Sequence, residues 1–241
     1  KNNFLKGLKN LKADLTNNLS ITFDDTYKVK DYNYNFSGKI EKTKLELSSP
    51  IKNEIIINQI RNIYLSDFNM KTNFKHENIK VSGEGMYSFD DSNFLNFNLE
   101  NNIDNDGLDL KLDFDYKDSL KLKLINYNKP VNADANLSLD LKLKKGNLNI
   151  NKLNYKEENN QIKIQGFSFK ENMLLSFKKI EVATTNNDFV IEKSKKILIK
   201  GNKFDATNLM KVFGKKNKEN IFQKIDSAIE IDFKNINVPM S

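Results

Sequence analysis

The chain has 241 residues with 39 basic and 32 acidic side chains, a formal net charge of +7, and is 38% hydrophobic and 29% charged. It contains no Cys, no Trp and a single histidine, His76. That composition excludes disulfide scaffolds, thiolate metal sites and cysteine nucleophiles, and it offers little to a histidine metal site or a catalytic triad. Arg61 is the one arginine, the remaining basic residues are lysines interspersed with Asp and Glu, and Asn is about one residue in six. Such usage fits the codon bias of an AT-rich genome. It does not form the clustered, arginine-bearing surface that reads nucleic acid, so no nucleic-acid partner is expected.

At the start of the chain, Phe4, Leu8, Leu11 and Leu15 have helical spacing, but Gly7 and Asn17-Asn18 oppose a helix. Residues 1–18 are therefore left open as a separate segment, ahead of one β domain over 19–241. From there on apolar and polar residues alternate with period two, the pattern of a strand with one apolar face. Strands are predicted at Ile21/Phe23, Tyr32/Tyr34/Phe36, Ile55/Ile57, Phe68/Met70/Phe74, Ile79/Val81 and Leu95/Phe97/Leu99. His76 is expected in an exposed turn. Gly83-Glu84-Gly85 lacks a phosphate-loop continuation and reads as a bulge or strand end.

The clearest alternation is Leu108, Leu110, Leu112, Phe114 and Tyr116, with Asp109, Lys111, Asp113 and Asp115 between them. After a turn at Lys117-Asp118-Ser119 it resumes as Leu120, Leu122 and Leu124, and again as Leu137, Leu139, Leu141 and Leu143. Lys145-Gly146-Asn147 predicts a hairpin turn into Leu148 and Ile150. Further strands are expected at Ile162/Ile164, Leu175/Phe177, Phe189/Ile191, Ile197/Ile199 and Ile229/Ile231/Phe233. One short helix is predicted over about 205–213, with Asp205 as N-cap and Gly214 as the stop, followed by the polar loop Lys215–Asn220.

The predicted fold is all-β and mainly antiparallel, with one face apolar and one charged. From pattern alone that face could close against a second sheet or line an open groove. The 9 Gly and 3 Pro mildly favour long continuous strands.

Chemistry for catalysis is sparse. Asp113 and Asp115 beside Lys111 read as solvated, charge-balanced strand surface. Asn102-x-Asp104-x-Asp106-Gly107 starts like a calcium loop, but its twelfth position is Asp113 and strands flank it, so a turn is expected instead. No catalytic residues, metal or cofactor are predicted, and the protein is expected not to be an enzyme. The apolar stripe is what remains. It is either ordinary core or a groove for acyl chains, whose burial is worth about 0.8 kcal/mol per CH₂. The candidate lining residues are Leu108, Leu110, Leu112, Phe114, Leu120, Leu122, Leu124, Leu137, Leu139, Leu141, Leu143, Leu148 and Ile150.

Three stretches carry a resemblance: Ile79–Gly85, Ile125–Pro130 leading into Ala133–Leu143, and Ile199–Leu209 with its Gly201-Asn202-Lys203-Phe204-Asp205 step. Their order and spacing resemble the AsmA-like proteins of Gram-negative bacteria, particularly the large YhdP- and TamB-type members. The resemblance runs from about Leu19 to the end, and the high Lys and Asn content departs from the family. It implies an elongated, curved β-sheet whose apolar interior forms a phospholipid groove. It also implies a periplasmic protein anchored in the inner membrane through a part upstream of this segment and reaching toward the outer membrane. Phospholipid acyl chains would be the partners, and outer-membrane integrity the role. The chain begins at Lys1, shows no signal peptide and has no apolar run near the roughly 20 residues of a spanning helix, and it is expected to be a C-terminal-side segment. Two other readings stay open, a transmembrane β-barrel and a structural or adhesive β-sandwich of the cell envelope.

Overall fold

Period-two alternation becomes strand along almost the whole chain. The computed structural model describes residues 7–56, 58–171, 173–208 and 227–238. They fall into two compact units, residues 1–52 with 58–115, and residues 53–57 with 116–241. The structure is all-β and mostly antiparallel.

The first unit is a meander of β1 (Leu8–Phe23), β2 (Val29–Ile51), β3 (Ile60–Lys75), β4 (Asn78–Ser88), β5 (Leu95–Asp104) and β6 (Gly107–Tyr116), each strand antiparallel to the one before it. The open N-terminal segment is thus strand from Leu8 onward. Its apolar spacing is shared between two phases because β1 carries bulges, with register shifts between Lys9 and Ala13 and Asn10 at φ 54°.

Register places the apolar residues in rows across the sheet. Tyr34, Phe74, Ile79, Ile103 and Leu108 stand opposite one another, as do Gly38, Met70, Gly83, Leu99 and Leu112. A bulge in β3, with Asp67 at φ 51°, sets Phe68 over β4. There the glycines of the predicted bulge are a matter of space. A Cβ on Gly83 would lie 2.3 Å from the Asn69 carbonyl oxygen and 2.6 Å from the Phe68 ring, and one on Gly85 would lie 2.6 Å from Phe68 Cα. Phe68 is consequently buried at 5% exposure. Lys39 bonds Asp67 at 2.5 Å, and with Ser66 it holds that carboxyl below its ordinary range.

In the second unit the sheet runs β9 (Ala135–Lys144), β10 (Asn147–Glu157), β11 (Asn160–Lys170), β13 (Lys179–Thr184), β14 (Asn187–Lys193), β15 (Ile197–Asp205) and β16 (Ile229–Asn237), with β12 (Met173–Ser176) also paired to β11. The predicted hairpin at 145–146 is present: Lys145 and Gly146 have φ 47° and 79°, both positive as a type I′ turn requires. β16 departs from the antiparallel expectation, because it lies parallel to β15. Apolar rows cross this sheet too, one of them Leu139, Leu153, Ile164, Ile180, Ile191, Ile199 and Ile231.

Three expectations are corrected. Leu120, Leu122 and Leu124 do not form a strand of the large sheet. β7 (Leu120–Leu122) pairs with β8 (Tyr127–Lys129) as a small two-stranded ribbon, and Leu124 sits in a 3-10 turn, Lys123–Ile125. The left-handed Asn126, φ 49°, ends that turn and reverses the chain. Ile55 is in a bend, where Asn53 Oδ1 accepts the amides of Ile55 and Ile56, and only an isolated bridge joins Ile56 to Leu120. Ile57 lies outside the described residues. Finally, the helix over about 205–213 is not supported. Asp205 closes β15, its side chain capping the turn that follows at Thr207, and residues 209–213 lie outside the described residues.

The sheet is not closed. Among the described residues β1 pairs only with β2, and β16 only with β15.

Candidate functional site

The thirteen predicted lining residues divide into three groups. Leu108, Leu110, Leu112 and Phe114 share one face of β6 in the first unit. Opposite them on β5 stand Ile103, Asn101, Leu99 and Phe97. All four are half-buried, and on this face Phe97, Phe114 and Tyr87 meet edge to face, with ring centroids 5.9–6.2 Å apart for the two pairs to Tyr87. Tyr34, Phe36 and Phe74 form a second aromatic group, at 5.8–6.0 Å. No second layer from within the unit lies over this face among the described residues, because its strands form a single sheet. The row Phe36, Thr72, Val81, Asn101, Leu110 carries two polar interruptions. Thr72 Oγ1 and Asn101 Oδ1 are buried without a hydrogen-bond partner.

The second group, Leu137, Leu139, Leu141, Leu143, Leu148 and Ile150, shares one face of β9 and β10. A bulge at Asn151 shifts the phase, so that Leu153 and Tyr155 continue the face that Leu148 and Ile150 began. Here the unit supplies its own cover. At one end Leu174 and Phe177, from β12 and the turn after it, pack with Ile197 against Phe167, Phe169, Ile180, Ile191 and Ile199. At the other the β7–β8 ribbon lies against Tyr155.

The third group lies in that ribbon and the turn after it, apart from the large sheet. Leu120 is buried, Leu122 half-buried and Leu124 40% exposed. What the ribbon brings is a polar cluster invisible in the alternation. Tyr127 and Tyr155 hydroxyls meet at 2.6 Å, and Tyr127 also donates to Glu157 Oε2 at 2.5 Å, which Asn160 reaches as well. Lys129 is 1% exposed, and its ammonium donates to the carbonyls of Lys117, Asp118 and Pro130 at 2.9–3.0 Å, using all three protons. It also lies 5.4 Å from the Tyr116 ring centroid. Asn187, fully buried, donates to the Ile125 carbonyl and accepts the Asp205 amide, while Asp205 accepts from Asn126.

Burial pushes the Tyr116 and Tyr155 hydroxyls up to about 12. It raises that of Tyr127 as well, helped by its bonds to Glu157 and Tyr155. Burial lowers the Lys129 ammonium, against the pull of Glu157, Asp118 and Asp134. These hydrogen bonds make the cluster a clamp that holds the ribbon.

The opposite face of the first unit is polar. Shallow depressions open on it, among them ones of about 380 and 600 Å³, lined by residues such as Asp67, Asn98 and Asp113 and by Lys39, Lys71 and Glu100. His76 is exposed in its turn, 3.9 Å from Glu77. Asp104 Oδ1 accepts the Asp106 and Gly107 amides, so the would-be calcium loop is a side-chain-capped turn. Among the described residues no group of three or more His, Asp or Glu could hold a metal ion, and no helix is long and apolar enough to cross a membrane. No family model, no curated protein and no solved structure matches the chain.

Proposed function

We propose that the protein binds phospholipid acyl chains along the apolar face of its first unit, as a non-enzymatic segment of a periplasmic AsmA-like protein that carries glycerophospholipid between inner and outer membranes. One observation carries this reading. Apolar rows cross β3–β6 and end on Leu108, Leu110, Leu112 and Phe114, broken only by Thr72 and Asn101 in the Leu110 row and by glycines, and among the described residues the unit provides no layer to cover them. A contiguous apolar surface of this kind marks a site of interaction. Acyl chains suit it because they need only apolar contact, at about 0.8 kcal/mol for each CH₂ removed from water. The resemblance of Ile79–Gly85 and Ile199–Leu209 to AsmA-like sequences agrees with it. The second unit carries its own apolar face on β9 and β10, where Leu137, Leu139, Leu141, Leu148 and Ile150 are half-buried and Leu143 is exposed.

The test is native mass spectrometry of the purified chain after incubation with detergent-solubilised phosphatidylethanolamine and phosphatidylglycerol. Retained phospholipid is expected, with loss on Leu112→Glu and retention on Lys111→Ala, a change on the polar face. Absence of bound lipid, or equal binding by both variants, would sink the reading.

A further inference from the structure

β1 is an edge strand with no strand partner but β2 among the described residues, so its outer N–H and C=O groups face no neighbouring strand, although the Leu15 carbonyl accepts from the Asn17 side chain. Natural edges of this kind are guarded by charge, proline or bulges. The first third of β1 is guarded, by Lys9, Lys12 and the bulge at Asn10. From Leu15 to Phe23 the guard stops. Leu-Thr-Asn-Asn-Leu-Ser-Ile-Thr-Phe contains no charge and no proline, in a chain that is 29% charged. Leu19, Ile21 and Phe23 are 58%, 42% and 54% exposed. The other end strand behaves differently: β16 alternates Glu230, Asp232 and Lys234 with its apolar residues and so carries its own guard.

We infer that β1 is the interface between two copies of this chain, paired antiparallel about a twofold axis at Asn17. The occupant follows from the strand's own order, which is nearly palindromic about that residue. Centred there, Leu15 faces Leu19, Ala13 faces Ile21 and Asn17 faces its own copy on the apolar side. On the polar side Thr16 faces Asn18 and Asp14 faces Ser20. No like charges meet, and every apolar side chain from Ala13 to Ile21 finds an apolar partner. Moving the axis to Asn18 sets Asn17 against Leu19, and moving it to Leu19 sets Asn17 against Ile21. The central asparagine therefore specifies the register, as a lone buried asparagine does in coiled coils. A twofold pairing uses the same patch on both copies and ends there, so it covers the edge without propagating.

Sedimentation equilibrium on the 241-residue chain is expected to show a concentration-dependent dimer. Leu19→Lys/Ile21→Lys, at exposed positions where folding is unaffected, should weaken it about tenfold or more by replacing apolar cross-strand pairs with charge. Ile231→Lys on β16 should leave it unchanged. The chain has no cysteine, so register is read cleanly: under mild oxidation Asn17→Cys should form an intermolecular disulfide, and Leu19→Cys, which faces Leu15, should not. A monomer at every attainable concentration overturns the inference. So does a dimer indifferent to the β1 lysines, or cross-linking through position 19 instead of 17.

Discussion

The two units are written in the same alternating code and use it differently. In the second, the chain folds back over its own apolar face. β12 and Phe177 cover one end, and the β7–β8 ribbon, clamped by Lys129, Tyr127 and Asn187, covers the other. In the first, the chain runs strand after strand without an excursion of that kind, and its buried side chains are few: Ile40, Phe68 and Tyr87 among the apolar ones. Alternation makes an apolar face, but whether that face becomes core depends on segments that leave the sheet. The first unit therefore has a surface to offer where the second has a core.

The sharpest way to break this comparison is to remove matched apolar groups from the two units. Leu174→Ala, at a side chain 1% exposed, should cost about 3–5 kcal/mol, since a buried cavity adds to lost transfer energy. Urea denaturation followed by far-UV circular dichroism measures it. Phe68→Ala is expected to cost about 3 kcal/mol, because Phe68 is the one place where the first unit packs a ring into a hollow made by its own glycines. A loss at Phe68 as large as that at Leu174 would mean the first unit is anchored as firmly as the second, at a single point.

A pH series separates the units by another property. Unfolded tyrosines titrate near 10, whereas Tyr116 and Tyr155 in the second unit are held up to about 12. As pH rises from about 10 toward 12, the unfolded chain gives up protons that the folded one keeps. Stability that is fully present below pH 10 should therefore fall across that window. Tyr155→Phe should flatten the fall, and hydrogen exchange should show the ribbon losing protection first. Equal loss of protection in β3–β5 would deny that the clamp is what titrates.

Much of this was legible in the sequence. The strand at Leu108–Tyr116, the hairpin at Lys145-Gly146 and the exposed turn at His76 follow from spacing and turn chemistry. The ribbon did not, for a physical reason: Leu120, Leu122 and Leu124 alternate just as Leu108, Leu110 and Leu112 do. What diverts them is one left-handed residue, Asn126, in a chain where Asn is everywhere. Lys129 was hidden for the same reason, since nothing local separates a lysine that will be enclosed by three carbonyls from Lys121 or Lys123. The phase shift between Ile150 and Leu153 was visible as a break in alternation, and it marks the bulge at Asn151. Register between β15 and β16 rests on long-range pairing that no window of sequence contains. The face proposed for acyl chains was legible as a face, and its lack of cover was not.

Smaller effects sharpen the comparison within the first unit. Thr72→Val keeps the branched shape and removes a buried hydroxyl without a hydrogen-bond partner, so it should stabilise by about 1 kcal/mol. A measured loss would mean that a water or ligand satisfies that hydroxyl.

Least of all should Leu112→Ala disturb the fold. Its side chain is only half-buried, so truncation should cost about 1 kcal/mol or less, because solvent already reaches the space it leaves. A core residue behaves otherwise: Leu174→Ala is expected to be several times more costly. The same position should nonetheless govern lipid retention, with Leu112→Ala reducing it and Leu112→Glu abolishing it at nearly unchanged melting temperature. That dissociation is what distinguishes a surface kept apolar for a partner from one kept apolar for folding. If Leu112→Ala instead lowered stability as much as Leu174→Ala, the face would be core, its cover supplied by the protein itself.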